Sequence, residues 1–351
     1  MIEYTRQPIF FNRNRVKRVY QGGQLLEQFL GGSGGDTEYP EEWLASAVCA
    51  LNGEELVTEG LSVISGTEIT LKELFARYPD EMLGGAGDLG LLVKYLDSAI
   101  RLPVQAHPDR AFSERYLNSI YGKAEMWLVL ATREEAGIYF GFKDKISKEE
   151  FALLIEESKN DKDIMARYLN KVEVKPGDVF MIPAKAVHAI GYGCLMLEVQ
   201  EPTDFTIQPE YWCGDYLLNN EEMYLGLSKQ VALECFDYTV YGSESVALSR
   251  KRPHLLVENQ NYKKEALISF SDTPCFAVEK YTIYQNACLQ YAPAVYVVIA
   301  GRGIVVGKGY EREIGEGDHF FLPWNGRENA MIIAAKGDTL EVVACIPPAK
   351  N

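Results

Sequence analysis

One internal repeat constrains this chain more than any other feature. Gly177-Asp178-Val179-Phe180-Met181-Ile182-Pro183 recurs as Gly317-Asp318-His319-Phe320-Phe321-Leu322-Pro323. Strand-like residues precede and follow each copy. The region from Pro274 to Ala344 is rich in such runs: Tyr291 to Ala300, Gly303 to Gly307, Met331 to Ala335 and Leu340 to Ile346. Many short strands separated by glycine turns favour barrels or sandwiches. A strand–turn–strand unit that occurs twice predicts two related β-barrels in one chain. The polar stretch Ser243 to Asn261, with Pro253 inside it, marks the boundary. The expected domains are 1–245 and 262–351.

The first half interleaves helices with the strands. Thr70 is a good N-cap with Glu73 three residues on, and Leu71, Leu74, Phe75 and Tyr78 share one face, which predicts a helix over 71–78. Leu89 to Leu96 reads as a buried strand, and a short helix is expected between Ser113 and Asn118. Trp127 to Phe142 is strand-like and apolar. Ser147 with Glu150 makes a second capping box, opening a helical segment over about 147–170 whose apolar face is Phe151, Leu154, Ile155, Ile164, Tyr168 and Leu169. The chain then returns to β through Val172-Glu173-Val174 and the turn Lys175-Pro176-Gly177-Asp178.

Composition narrows the function. The 351 residues suffice for about two domains and a sizeable core. The net charge of −15 argues against nucleic acid and against an anionic membrane surface as partners, while a few local cations could still hold a small anion. Met1 to Arg6 has no apolar run behind it, no stretch has the length of a membrane span, and the seven cysteines are scattered without close pairs, as suits reduced thiols in a cytoplasm. Arg13, Arg15, Lys17 and Arg18 read as a solvated face. Gly31 to Gly35 is a glycine-rich break without the Lys-Ser/Thr pair of a nucleotide cradle.

The chemistry gathers around Gln105-Ala106-His107-Pro108-Asp109, followed by Glu125 in Gly122-Lys123-Ala124-Glu125-Met126-Trp127. A glutamine oxygen, an imidazole and a carboxylate make a ligand set for a borderline metal such as zinc. Only four histidines exist, His107, His188, His254 and His319, and His188 is the best candidate for a fourth ligand.

The spacing Gly177, Pro183, His188 resembles the second signature of the cupin barrels, in which the histidine is a metal ligand at a strand end. Gln105, His107 and Glu125 fill the places of the first signature, and barrel closure can bring such distant strands together. In the second copy, the position five after Pro323 is Glu328, so the second barrel is expected to be metal-free and His319 structural. The order of segments is similar to the type I mannose-6-phosphate isomerase family in its short bacterial form. The runs that carry this are Pro40-Glu41-Glu42-Trp43, Leu71-Lys72-Glu73-Leu74, Leu91-Leu92-Val93-Lys94, the two ligand runs, Val174 to Asp178, Val187-His188-Ala189-Ile190-Gly191 and Glu198-Val199-Gln200.

The resemblance implies a mainly β fold of two cupin (jelly-roll-like) barrels with a helical insertion in the first. It implies one zinc ion held by Gln105, His107, Glu125 and His188, and interconversion of mannose 6-phosphate and fructose 6-phosphate through an enediol. It further implies Lys123 and Glu198 as acid–base residues, and Glu41, Lys94 and the position of Gln208 as substrate-binding. Two positions depart from the family. Pro103 stands where the family has a serine close to the phosphate, and proline has neither hydroxyl nor N–H. Gln208 stands where the family has an arginine, and a neutral amide cannot supply that charge. Lys185, where cupins commonly have glycine, or Arg101 could restore a cation. The readings left open are therefore the sugar-phosphate isomerase, a related isomerase for a different sugar, such as an unphosphorylated one, and a non-catalytic sugar-binding cupin.

Overall fold

Both heptapeptides form strands, and the two strands occupy the same place in two separate sheets. In the computed structural model of the chain, which describes residues 1–52 and 58–348, the first sheet has the order Arg15–Val16, Glu41–Leu44, Leu92–Ser98, Cys194–Gln200, Glu125–Thr132, Val179–Ile182, Arg250–Lys251. The second runs His254–Glu258, Tyr262–Ile268, Ala277–Ile283, Leu340–Ile346, Ala294–Ala300, His319–Leu322. All these pairings are antiparallel. A three-stranded sheet, with Gly137–Phe142 between Leu169–Glu173 and His188–Ile190, belongs with the first. A four-stranded sheet of Asn286–Cys288, Met331–Ala334, Arg302–Gly307 and Tyr310–Gly315 belongs with the second. The architecture is the mainly β, cupin-type fold expected.

The period of two explains why the central strands carry so few polar residues. Along Leu92–Ser98 and Glu125–Thr132, Leu96, Trp127 and Val129 point into one core with Ile138, Phe140 and Ile190 of the three-stranded sheet. Val93, Tyr95, Met126 and Leu128 point the other way, into a core shared with Val278, Val295, Val297, Val343 and Cys345 of the second large sheet. The two large sheets thus back onto each other, and their strands are buried on both faces. A third core, with Tyr281, Tyr296, Phe320 and Val342, fills the second barrel, and Phe10 reaches into it while Ile9 pairs with Phe321. Among the described residues no helix is long and apolar enough to cross a membrane.

Both capping boxes form as expected, at Thr70/Glu73 and Ser147/Glu150. The helical segment expected over 147–170 is a correction. It breaks into Lys148–Glu157 and Ile164–Arg167, and the chain is already a strand at Leu169–Glu173. That strand pairs with Gly137–Phe142, and the Asn170 amide donates to the carbonyls of Phe140 and Phe142 at 3.1 and 3.0 Å. Long-range sheet pairing outweighs the local helical period there.

The strand that begins with His188 lies hard against its neighbour. A Cβ built on Gly191 would fall 2.2 Å from the Gly137 carbonyl oxygen, inside van der Waals contact. Gly191→Ala is expected to push His188–Ile190 away from Gly137–Phe142 and to cost about 1–3 kcal/mol of stability. A shifted midpoint in urea denaturation with unchanged slope would register it, and a stability equal to that of the unchanged chain would contradict it.

Candidate metal centre

Gln105 and His107 are presented by an extended segment that runs beside the strand of His188. Leu102 and Gln105 donate their N–H groups to the carbonyls of Ile190 and His188, His188 returns one to Gln105, and Lys185 donates to His107. On its other side Ala106 exchanges two hydrogen bonds with Ile207. His188 opens the strand His188–Ile190 and Glu125 opens Glu125–Thr132. Asp109 caps the helix Arg110–Tyr116, accepting from Phe112 N–H, so the residue two after His107 ends the ligand segment. That helix starts three residues before the expected Ser113.

His107, Glu125 and His188 are buried, with ligand atoms all within 4.8 Å of one another; among the described residues they form the only such group of His, Cys, Asp and Glu. His107 Nε2 lies 3.2 Å from Glu125 Oε2 and His188 Nε2 lies 3.4 Å from Glu125 Oε1. The Gln105 amide nitrogen Nε2 is 3.4 Å from His188 Nε2. The other ring nitrogens decide the tautomers. His107 Nδ1 is 2.9 Å from the Phe205 carbonyl and His188 Nδ1 is 2.9 Å from the Ala186 carbonyl. A carbonyl only accepts, so both Nδ1 atoms carry a proton, and the Nε2 atom of each ring, which faces Glu125, is the one placed to bind a metal. This is the arrangement in which outer hydrogen bonds orient metal-binding imidazoles. Burial holds the His107 imidazolium down to about 3, against the charge of Glu125, so the ring is neutral at ordinary pH. Burial opposes the charge on Glu125, yet its carboxyl stays well below 4.5, with Lys123 Nζ at 3.0 Å. Two imidazoles with Nε2 turned to Glu125, an ionised carboxylate and an amide suit a divalent cation. Lys123 Nζ, 2.9 Å from His107 Nε2 and 3.0 Å from Glu125 Oε2, already brings positive charge to the same donors.

The remaining residues expected at the site assemble into a buried chain of ion pairs. Lys94 Nζ is 3.2 Å from Glu198 Oε1 and 3.6 Å from Glu41 Oε2. Glu41 accepts from the Tyr20 hydroxyl at 2.7 Å and from Trp43 Nε1 at 2.7 Å. Although burial opposes ionisation of Glu41, Arg18 and Lys94 hold its pKa far below 4.5. Glu198 moves the other way: burial first, then the Glu125 charge, lift it to about 7 in spite of Lys94. Arg18 is a correction. Read as part of a solvated face, its side chain is 12% exposed and pairs with Glu41 at 3.1 Å and with both oxygens of Asp204 at 3.0 and 3.1 Å. Arg18, Tyr20 and Asp204 are missing from the expected site. The alternation Arg18-x-Tyr20, two residues of one face on an extended segment, is the signal that was available.

Gln208 is half-buried and turned aside. Its side-chain amide donates to the Glu222 carbonyl at 3.1 Å and its backbone N–H to Met223 at 3.0 Å. Arg101 is committed to a two-pronged pair with the buried Glu210, at 2.6 and 2.9 Å, and does not replace a cation at the centre. Lys185 has φ of 70°, the left-handed region that explains why glycine suits this position.

Register shows which residues of the second sheet stand at the places of the first-sheet site. In the first sheet the row Phe180, Trp127, Glu198, Lys94 runs across four strands. The corresponding row in the second is Phe320, Tyr296, Ala344, Glu279. One step along, Glu125 pairs with Ile182 and Ala294 pairs with Leu322, so an alanine stands where the first sheet has Glu125. On the next strand, Glu41 pairs with Leu96 and Lys264 with Tyr281. Glu41–Lys94 is therefore matched by Lys264–Glu279, 3.1 Å apart, with the two signs exchanged. Glu328, in the place of His188, is exposed and pairs with Lys308.

No protein-family profile matches the chain. The chain is 30% identical over 322 residues to a mannose-6-phosphate isomerase of Streptococcus mutans, covering 90% of this chain and 92% of the relative. It is 29% identical over 323 residues to the mannose-6-phosphate isomerase ManA of Bacillus subtilis, covering 91% and 94%. Among solved structures, the mannose 6-phosphate isomerase from Bacillus subtilis superposes with a TM-score of 0.75 at 24% identity, over 96% of this chain and 99% of that one. A putative mannosephosphate isomerase from Archaeoglobus fulgidus gives 0.73 at 19% identity, over 98% of each. These likenesses establish the fold.

Two outcomes follow from the geometry. His188→Ala is expected to lose bound divalent metal by elemental analysis while His319→Ala keeps it; equal metal content in the two would refute the assignment. In the metal-free protein, Glu198 keeps a proton up to about 7 that the unfolded chain releases near 4.5. The folded state then binds more protons in that window, so stability falls as pH rises through it, by about 3 kcal/mol in all. Glu198→Gln should flatten this slope in denaturation curves taken from pH 4.5 to 7; an unchanged slope would contradict the assignment.

Proposed function

The chain belongs to the mannose-6-phosphate isomerase family, and from that premise we propose that it is a cytoplasmic, zinc-dependent aldose–ketose isomerase interconverting mannose 6-phosphate and fructose 6-phosphate through an enediol. The observation that carries the reading is the pair of imidazoles with both Nδ1–H groups held by backbone carbonyls and both Nε2 atoms facing Glu125. Gln105, His107, Glu125 and His188 would hold the ion, which when bound supplies a Lewis acid for the developing oxyanion and for sugar oxygens.

The chain's own residues account for the proton. Isomerisation moves one proton between C1 and C2 and another between the two oxygens. Glu198, lifted to about 7 by burial and Glu125, can hold and release a proton near neutral pH, as an acid–base residue must. Lys123 Nζ, beside His107 and Glu125, is a second proton carrier within reach of whatever the ligand cluster binds. Lys94, with Glu41 behind it, supplies the buried cation nearest Glu198 and can draw an anionic sugar inwards.

A second reading draws on Gln208 and Pro103. One N–H of the Gln208 amide is spent on the Glu222 carbonyl and the rest of the group carries no charge for a phosphate, and Pro103 offers no donor. Both favour a sugar that is not held by its phosphate at those positions. A coupled assay of zinc-loaded protein is expected to show turnover of mannose 6-phosphate, and Gln208→Arg to raise it about tenfold or more, since one charged hydrogen bond is worth about 1.5–3 kcal/mol. Absence of turnover on mannose 6-phosphate together with turnover of an unphosphorylated hexose would favour the second reading; turnover of neither would refute both.

A further inference from the structure

Arg18 joins three separate chain segments through one guanidinium. Its Nε lies 3.1 Å from Glu41 Oε1, its Nη1 donates to Asn52 Oδ1 and Asp204 Oδ2, each at 3.1 Å, and its Nη2 donates to Asp204 Oδ1 at 3.0 Å. Asp204 is fixed further by the Leu51 N–H at 2.8 Å. The planar fork of arginine is required for this, because an ammonium cannot meet both Asp204 oxygens and Glu41 in one plane. The two carboxylates lead to different parts of the centre. Asp204 is followed by Phe205, whose carbonyl holds His107 Nδ1 at 2.9 Å, and then by Ile207, whose backbone pairs with Ala106. Glu41 leads to Lys94 at 3.6 Å, and Lys94 to Glu198 at 3.2 Å.

We propose that Arg18 is a positioning residue for the metal centre. Through Asp204 it seats the Phe205 carbonyl against His107, and through Glu41 it seats the Lys94 ammonium beside Glu198. One side chain outside the ligand set thus orients a ligand imidazole and the neighbouring cation together. Without it, Glu41 and Asp204 lose their shared counter-charge, and the segment from Asp204 to Ile207 loses the anchor that sets its distance from Ala106 and His107. The inference rests on the reading of His107 as a metal ligand.

The test measures metal affinity by chelator competition, and the visible absorption of the cobalt-saturated protein, in the unchanged chain, Arg18→Lys and Asp204→Asn. Arg18→Lys keeps a cation for Glu41 and gives up the fork; Asp204→Asn keeps the fork and weakens its hold. Both are expected to bind metal about 10–100-fold more weakly, the usual effect of removing an outer partner of a ligand histidine. Both should also shift the cobalt bands at saturation, which a general loss of stability would not do. If either variant fails to fold, the other carries the test. Affinities within about twofold of the unchanged chain, with the same cobalt spectrum, would overturn the role of Arg18 while leaving the metal reading intact. An unchanged chain that binds no divalent metal would overturn the reading of His107, and this inference with it.

Discussion

A charge removed from water must meet its opposite, and that requirement organises the first barrel. Arg18, Lys94 and Lys123 face Glu41, Glu125, Glu198 and Asp204, three cations against four carboxylates. Isolated ionised groups of this kind cost several kcal/mol each on burial, so the set persists only because almost every member touches a partner. The one negative charge in excess falls on Glu198, whose proton is retained to about 7. A divalent cation among the donors of Glu125 would reverse that balance and loosen the Glu198 proton. Metal uptake and release of the Glu198 proton are then coupled through one charge balance.

The same requirement explains what could be read along the chain and what could not. The repeated Gly-Asp…Pro unit located the strands Val179–Ile182 and His319–Leu322, because a strand ladder and its turn are local. That His107, Glu125 and His188 come together was legible because ligand types at those offsets are few in a chain with four histidines. Arg18 was not. Its partner Asp204 lies 186 residues away, and an arginine in a run with Arg13, Arg15 and Lys17 looks like any exposed basic patch. Nor could the Phe205 and Ala186 carbonyls be foreseen, since backbone groups carry no residue identity. The helix that stops short of Leu169 failed for a related reason. Its apolar period was real, but the edge of Gly137–Phe142 offered hydrogen bonds that a further helical turn did not.

Geometry also separates Gln208 from Arg18. Gln208 is held by backbone groups of the helix Asn220–Tyr224, so a neutral amide fits where it sits, and the burial of the site does not demand a cation there. Arg18, in contrast, stands where two carboxylates converge and cannot be exchanged for a neutral residue without leaving both exposed to each other.

The exchanged signs of Glu41–Lys94 and Lys264–Glu279 bear on how a chain made of two similar halves finds one fold. Repeated sheets with matching register invite a strand of one half to pair with the wrong half while the chain is folding. Were Glu41–Leu44 to take the place of Tyr262–Ile268 beside Ala277–Ile283, Glu41 would meet Glu279. The reciprocal exchange would bring Lys264 to Lys94. Either mismatch buries like charges side by side, which is among the most expensive errors a barrel interior can hold. The two halves share an architecture but are kept from sharing strands: each carries an electrostatic key that only its own neighbour accepts.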